Sequence, residues 1–294
     1  MLAKKNLIWS KGYLNDYYSK KGTETCSTEK EIIDMMETIN GIIYIRTGGG
    51  GRRVIDLDIF SNNLHRLTKP CILITSDGDR CTPSSYNKNT VNKILNNSNI
   101  IKWYTQNYDK SIIHSKLNHY PIGFDLHTRR WLIDNSIQKK IDFMVKCRMK
   151  SPTNKRISNK IFSDTHHSIS HPERRQLYDL IKNNKIIDLS PIRKSFTEIT
   201  KVYNKYNFVF SPRGAGLDCH RTWELFLAGV IIITKTSSLD DMFINNNLPV
   251  VILKEWGELK NVTENKLNEW YETHNHKTNI NNIFPKLMYD YWIN

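Results

Sequence analysis

Short apolar runs recur along the chain, and polar, helix-compatible stretches separate them. In the first half the runs are GIIYIRT, CILITS, IIKWYT and LNHYPIG; in the second they are DFMVKC, KIIDLS, YNFVF, VIIIT and LPVVIL. Between them lie stretches such as RRQLYDLIKNN and SFTEITKVYNKY, whose apolar residues fall at helical spacing. Strand and helix in alternation predict parallel sheets with crossover helices rather than an all-β sandwich. Each half holds enough strands for its own sheet. The expected fold class is therefore α/β, built from two Rossmann-like domains facing a central cleft, the usual place for a two-substrate site. The polar segment from His127 to Lys140 lacks strand character and sets the boundary, giving domains 1–135 and 136–294. The final NIFPKLMYDYWIN has apolar residues at helical spacing and is expected as a terminal helix.

One stretch carries more than periodicity. YNFVF reads as a buried strand, SPRGAG as a tight loop, DCHRTWELFLA as a helix, Gly229 as its stop and VIIIT as the next strand. At 100° per residue, Cys219, Trp223, Phe226 and Val230 share the face that packs on the sheet, while His220, Arg221, Glu224 and Ala228 share the opposite one. That second face is either an ordinary solvated surface or a binding surface. Gly214 and Gly216 let backbone N–H groups approach an anion at the helix start, where unpaired donors and the positive end of the helix dipole favour phosphate. Arg213 and Arg221 supply forked donors suited to a diphosphate, and Glu224 is placed to accept hydrogen bonds from ribose hydroxyls.

Composition narrows the field without deciding it. The chain has 294 residues, enough for two domains of ordinary size, and a formal charge of +14, which favours acidic partners. Lys and Arg are dispersed, and no helix-turn-helix, zinc-finger or RNP-like pattern occurs, so specific nucleic-acid binding is not expected. No apolar run approaches the roughly 18 residues of a membrane span, and the N-terminus has no signal-peptide stretch, so the expected location is cytoplasmic. Five cysteines, Cys26, Cys71, Cys81, Cys147 and Cys219, lack CxxC spacing and read as reduced thiols. His166, His167 and His171 are spaced for a metal, but no cysteine lies nearby and Pro172 follows directly, so they read as a loop.

The run FSPRGAGLDCHRTWELFLAGVIIIT resembles the signature of exostosin-like glycosyltransferases and their viral and bacterial relatives, in which SPRG, a DxHRxWE stretch and an apolar strand follow in this order. The similarity continues through SSLDDMF and LPVVILKEW, and upstream through TSDGDRCTP, WYTQN and YPIGFD; it leaves the first 40 or so residues least explained. The resemblance implies a GT-B fold, a nucleoside-diphosphate sugar bound by the C-terminal domain and a glycan acceptor bound by the N-terminal one. It also implies a transfer that often inverts the anomeric centre, with UDP as the carrier and xylose as the best single choice of sugar. Donor contacts carried over are Arg213, Arg221 and Glu224, with Asp218 and His220 as weaker members; Gly214, Gly216 and Ser237 complete the expected donor site. With arginines and a helix terminus balancing the diphosphate, no metal cofactor is expected.

An inverting transfer needs a base on the acceptor side. Asp79 is the first choice and Asp77 the second, because SDGD follows the strand CILIT and strand C-termini point into the crevice. The same DxD pair supports a rival, a metal-dependent GT-A transferase, although IDLDIF carries a second DxD at Asp56 and Asp58 and shows how cheaply the pattern arises. A further rival is a non-catalytic binder of nucleic acid or glycan, in which TGGGGRR at 47–53 tracks a phosphate backbone; a plain surface loop explains it equally.

Overall fold

The apolar runs of the first half pair in the order in which they occur. The computed structural model of the chain describes residues 7–11, 28–38, 41–48 and 56–293. Within them, α1 (Glu29–Glu37), β1 (Ile42–Gly48), α2 (Asp56–Asn62), β2 (Cys71–Gly78), α3 (Lys88–Asn96), β3 (Ile100–Thr105) and β4 (Leu117–His119) build a four-stranded sheet of order β1-β2-β3-β4. All three pairings are parallel. Local chemistry starts the helices: Thr28 and Glu31 form a capping box at α1, and Asn87 caps α3, whose Val91, Ile94 and Leu95 fall at helical spacing and are buried.

The second half continues with α4 (Ile137–Lys150), β5 (Ile157–Ser163), α5 (Pro172–Ile181), β6 (Ile187–Leu189), α6 (Phe196–Tyr203), β7 (Tyr206–Phe210), α7 (His220–Ala228), β8 (Ile231–Lys235), α8 (Asp240–Asn245), β9 (Val250–Leu253), α9 (Glu264–His274) and α10 (Ile280–Ile283). Its five strands are parallel in the order β6-β5-β7-β8-β9. The chain steps one way from β5 to β6, then crosses back over to β7, so strand order reverses between β5 and β7. A reversal of this kind opens a crevice at the carboxyl ends of the two strands, where ligands of open α/β sheets bind. The first sheet runs in one direction throughout and has no such point among the described residues.

Two expectations are corrected. DFMVKC is not a strand but the middle of helix α4, begun by Ser136, whose hydroxyl accepts from Lys139 N–H, and turned inward at Lys140, Ile141 and Met144. The helical repeat outweighs the local β-propensity of Phe143 and Val145. The strand beside β6 and β7 is instead ISNKIFS, buried only over its last three residues. The C-terminal segment is broken rather than a single helix: Pro285 stands at the start of a 3-10 turn, Phe284–Leu287, and a second turn follows at Tyr289–Tyr291.

The hydrophobic core explains how the two sheets relate. One cluster lies between the first sheet and α1 to α3, and another between the second sheet, α5 and α9. The third is shared. It joins Tyr44, Ile74 and Tyr104 from the first sheet to Val209 and Ile232 from the second, with Trp223 and Phe226 of α7 between them and Tyr289 and Trp292 from the C-terminal turns. Trp223 is fully buried and packs edge-on to Phe226 and Trp292. Near the N-terminus, Leu7 pairs with Met288 and Trp9 with Gly123. Gly123 has φ +66, and a Cβ there would stand 2.2 Å from the Ile8 carbonyl oxygen, so this approach requires glycine. Among the described residues no helix is long and apolar enough to cross a membrane.

Acid sensitivity follows from one core-edge histidine. His119 stacks on Tyr108, neither ring nitrogen has a hydrogen-bond partner, and burial, with Lys110 adding to it, pulls its pKa to about 4. An imidazole held neutral when folded but titrating near 6.5 when unfolded lends stability that is complete above pH 6.5 and is lost as pH falls toward 4, about 2 kcal/mol by pH 5. The expected result is that His119→Phe narrows the gap in melting temperature between pH 7 and pH 5. An unchanged gap would remove His119 from the acid response.

Candidate functional site

Helix α7 is fixed at both ends. At its N-terminal end Asp218 is buried and accepts from Cys219 N–H at 2.8 Å, from Trp223 Nε1 at 2.9 Å and from Ile122 N–H at 2.8 Å; the last comes from the chain following the first sheet. Asp218 N–H in turn donates to Asn107 Oδ1 at 2.9 Å. Burial raises the Asp218 carboxyl to about 6, against the lowering effect of these donors. At the C-terminal end Gly229 takes the left-handed conformation at φ 70. There Arg148 and Arg156 both donate to the Ala228 carbonyl, at 2.9 and 2.8 Å, and Arg156 also reaches Gly229 O at 3.0 Å. Two guanidiniums thus satisfy carbonyls that the helix leaves unpaired and complement the negative end of its dipole.

The polar face of α7 looks into a cavity of about 250 Å³ at the crevice between β5 and β7. His220, Arg221 and Glu224 line it, joined by Asp164 and His167 after β5, Arg193 and Lys194 after β6, and Asp125, Arg130 and Trp131 from the chain leading to α4. Arg221 Nη2 lies 3.5 Å from Asp164 Oδ2, which also accepts from Tyr203 Oη at 2.9 Å. Burial lowers the Arg221 pKa, but Asp164, Tyr203 and Cys219 together outweigh it, so the guanidinium stays charged with its pKa raised. Its Nη1 is buried without a hydrogen-bond partner. Glu224 Oε1 is 2.9 Å from Lys140 Nζ, an ion pair whose angle departs from that of a hydrogen bond; Lys140 also donates to Asp125 O and lies over the Phe196 ring. Arg130, Lys140, Arg193, Lys194 and Arg221 face three carboxylates, those of Asp125, Asp164 and Glu224, so the cavity carries a cationic excess.

The residues expected to hold a donor do not all meet there. Arg213, Asp218 and Ser237 line a second cavity of about 450 Å³ on the β8 side of α7, together with Cys81 and Asp109 from the first half. Arg213 donates to Ala215 O at 3.3 Å. Gly214 and Gly216 line neither cavity, and close packing accounts for them: a Cβ at Gly216 would sit 2.8 Å from Asn107 Nδ2, and one at Gly214 3.2 Å from Cys219 Sγ. The loop therefore closes on Asn107 and Arg174, with Arg174 Nε donating to Arg213 O at 2.8 Å. Ser237 N–H donates to Asp240 Oδ1 at 2.9 Å.

Asp77 and Asp79 line neither cavity. Asp77 is buried, has φ 63, and lies 2.9 Å from Arg46 Nε and 3.5 Å from Lys11 Nζ. Asp79 is exposed. One is buried in an ion-pair network and the other exposed, so the two do not present a pair to either cavity. Of the other DxD, Asp58 accepts from Thr90 Oγ1 at 2.6 Å and Asp56 is buried in the first turn of α2. His166 and His167 both bond Ser190 O through Nε2, at 3.0 and 2.8 Å, and His171 caps α5. Of TGGGGRR, only Thr47 and Gly48 fall on described residues, at the end of β1; 49–53 lie outside them. Cys71, Cys81, Cys147 and Cys219 are free thiols, and Cys26 is outside the described residues.

One cluster escaped the sequence reading. Asp125, His127 and His220 bring a ligand atom each to within 4.8 Å of one another at the edge of the first cavity. Thr128 N–H, at 2.9 Å, and His127 N–H, at 3.3 Å, orient the Asp125 carboxylate. Burial would raise Asp125, but His220, His127 and Lys140 outweigh it and hold it at about 2, while burial pulls His127 to about 4 despite Asp125. His220 Nδ1 is 2.8 Å from Gly123 O, and a carbonyl can only accept, so Nδ1 donates there and Nε2 is the nitrogen left to meet a ligand. The D-x-H of GFDLH was the available signal. Compared with known proteins, the chain matches no family model and no curated protein.

Proposed function

We propose that the chain is a glycosyltransferase of GT-B type that takes a sugar from a nucleoside-diphosphate donor, UDP-linked and with xylose as first choice, and passes it to a glycan hydroxyl with inversion. One observation carries the reading: a half-buried, charged arginine, Arg221, lines the switch-point cavity with its buried Nη1 unpartnered, inside a cationic excess. In this reading the diphosphate lies against Arg221, Arg193 and Lys194, and Glu224 takes the ribose. Arg213 and Ser237, on the far side of α7, are the weaker part of the donor set. The exostosin-like signature supplies the reaction class, and the two parallel sheets supply an architecture that suits it. Proton removal from the acceptor belongs to groups at the edge of the same cavity, Asp125 and His220, rather than to Asp79. The GT-A alternative loses support because Asp77 is engaged with Arg46 and Lys11.

The direct test is a panel of nucleotide-sugars screened by thermal shift and by slow donor hydrolysis. UDP-sugars are expected to stabilise the protein and release UDP; a panel with no stabilising member would overturn the reading. Arg193→Ala sharpens the test, because Arg193 is exposed and its loss leaves no buried charge unpaired. A charge-assisted bond of about 1.5 kcal/mol, the low end of its range, corresponds to roughly a tenfold loss of UDP affinity by calorimetry. Equal affinity would move the diphosphate away from the β6 loop.

A further inference from the structure

We infer that Asp125, His127 and His220 form a binding site for one divalent metal ion of the zinc class, open on the side that faces the switch-point cavity. The site goes beyond the glycosyl-transfer reading and does not depend on it, since the ion is recognised by three side chains whatever the cavity accepts. Two imidazoles and one carboxylate are a donor set for zinc, cobalt or iron(II) rather than for magnesium or calcium, which prefer oxygen throughout. Three protein ligands with a remaining position toward a cavity is the arrangement of catalytic rather than structural zinc.

Three independent features point to a ligand. The ligand atoms converge from separate stretches of chain to within 4.8 Å. An ion bonded at about 2.0 to 2.2 Å draws such atoms to within roughly 3.5 Å, so a small inward rotation of the side chains closes the shell. His220 already donates through Nδ1 to the Gly123 carbonyl at 2.8 Å, the outer contact that metal-bound histidines use to fix the ring and raise the basicity of the other nitrogen. His127 Nδ1 is buried without a hydrogen bond, 3.5 Å from Asp125 Oδ1, a contact too long and poorly aimed to serve as its partner. A shared cation gives His127 Nδ1 the partner it lacks and uses a carboxylate already oriented by the Thr128 and His127 N–H groups.

The surroundings do not forbid a cation. Of the fixed positive charges that act on the cluster, Lys140 is paired with Glu224 at 2.9 Å and Lys11 lies 3.5 Å from Asp77, so each has a carboxylate of its own. Asp125 and His220 line the cavity, so an oxygen entering from it, whether water or a sugar hydroxyl, would complete the coordination and lose its proton more readily for being bound. The site departs from the metal-free expectation at the acceptor oxygen only: with the ion bound, Asp125 and His220 are its ligands and act on the acceptor's proton through it rather than as bases themselves, while the diphosphate keeps its arginines.

The experiment uses the full chain, stripped with chelator, dialysed and titrated with Zn²⁺ alone and with Co²⁺ alone, with no nucleotide or sugar present. The expected result is one equivalent of saturable binding, a rise in melting temperature with Zn²⁺, and visible absorption from Co²⁺ typical of a mixed nitrogen and oxygen site. His220→Ala and Asp125→Asn should each weaken Zn²⁺ tenfold or more while melting like the wild type in chelator. His127→Gln serves as a third variant should either fail to fold. No saturable binding by the wild type, or binding that survives all three substitutions and so belongs to other histidines or thiols, would overturn the site. Because no donor is present, failure here leaves the glycosyl-transfer reading standing, and failure of the donor panel leaves the metal site standing.

Discussion

Asp125→Asn is expected to lower turnover by about a hundredfold or more while leaving UDP affinity within a few-fold of the wild type. The reasoning combines placement with chemistry. Asp125 lines the cavity that holds Arg221 and Glu224, comes from the first half of the chain, and is kept ionised at about pH 2 and above by His220, His127, Lys140 and the Thr128 N–H. A carboxylate held so low orients the acceptor hydroxyl through a hydrogen bond rather than taking its proton outright, and such a group acts in the transition state, where this kind of catalysis contributes about 10² to 10⁴, and not in donor binding. The measurement is a steady-state assay with the donor found in the nucleotide-sugar panel, beside calorimetric UDP titration. Asp79→Asn, on an exposed carboxylate that lines neither cavity, is the matched comparison and should keep most of the turnover. The reverse pattern, with Asp79→Asn inactive and Asp125→Asn near normal, would return the base to the SDGD turn.

The second large effect is on stability. Asp218→Ala removes the acceptor for three buried donors at once: Ile122 N–H, Cys219 N–H and Trp223 Nε1. Three donors left unsatisfied at about 1 to 3 kcal/mol each would cost about 3 to 9 kcal/mol, and because burial already penalises the ionised carboxylate at pH 7, a loss near the lower end, about 3 to 5 kcal/mol, is expected, a large fraction of a typical stability of about 5 to 15. Urea unfolding at pH 7 measures it. Asp218→Asn should recover only part, because its amide turns an N–H₂ group toward donors. A loss below about 1 kcal/mol for the alanine variant would mean that water or a shifted loop replaces the carboxylate. The same numbers separate this residue from the donor set: Asp218 holds α7 in place, and its substitution should disturb UDP binding only through that helix.

How much of this could be read from the chain alone depended on where the signal was local. YNFVF, VIIIT and LPVVIL are continuous apolar runs because their strands are covered on both faces, and they were legible for that reason. ISNKIFS was not, although its strand lies between β6 and β7, because its first four residues are only partly covered and carry Ser, Asn and Lys. DFMVKC misled because Phe143 and Val145 resemble a strand over six residues, while the burial of Lys140, Ile141 and Met144 repeats only over a longer window. At the site, helical spacing put His220, Arg221 and Glu224 on one face, and that face does line a cavity. The same spacing is silent about depth. It could not foresee that Asp164 and Lys140, far apart in sequence, would supply their partners, nor that Asp125 and His127, on a loop with no period to betray them, would meet His220. Glycine-rich loops are ambiguous in the same way: Gly216 is explained by Asn107 lying against it, a contact no loop motif encodes.

The cluster that runs from Tyr44 and Tyr104 through Trp223 to Tyr289 and Trp292 has a thermodynamic consequence. Two halves with separate cores melt as two transitions, each responding to the ligands that touch it. Here the aromatic side chains of α7 belong to both halves at once, so neither can lose its packing without exposing the other's, and the chain should unfold as a single cooperative unit. A ligand held only by side chains around α7 then stabilises every residue of that unit, by about RT ln(1 + [L]/Kd). Weak donors and weak metals alike would therefore register as a displacement of one melting curve, and their effects, if they occupy distinct positions in the cavity, would add on that curve.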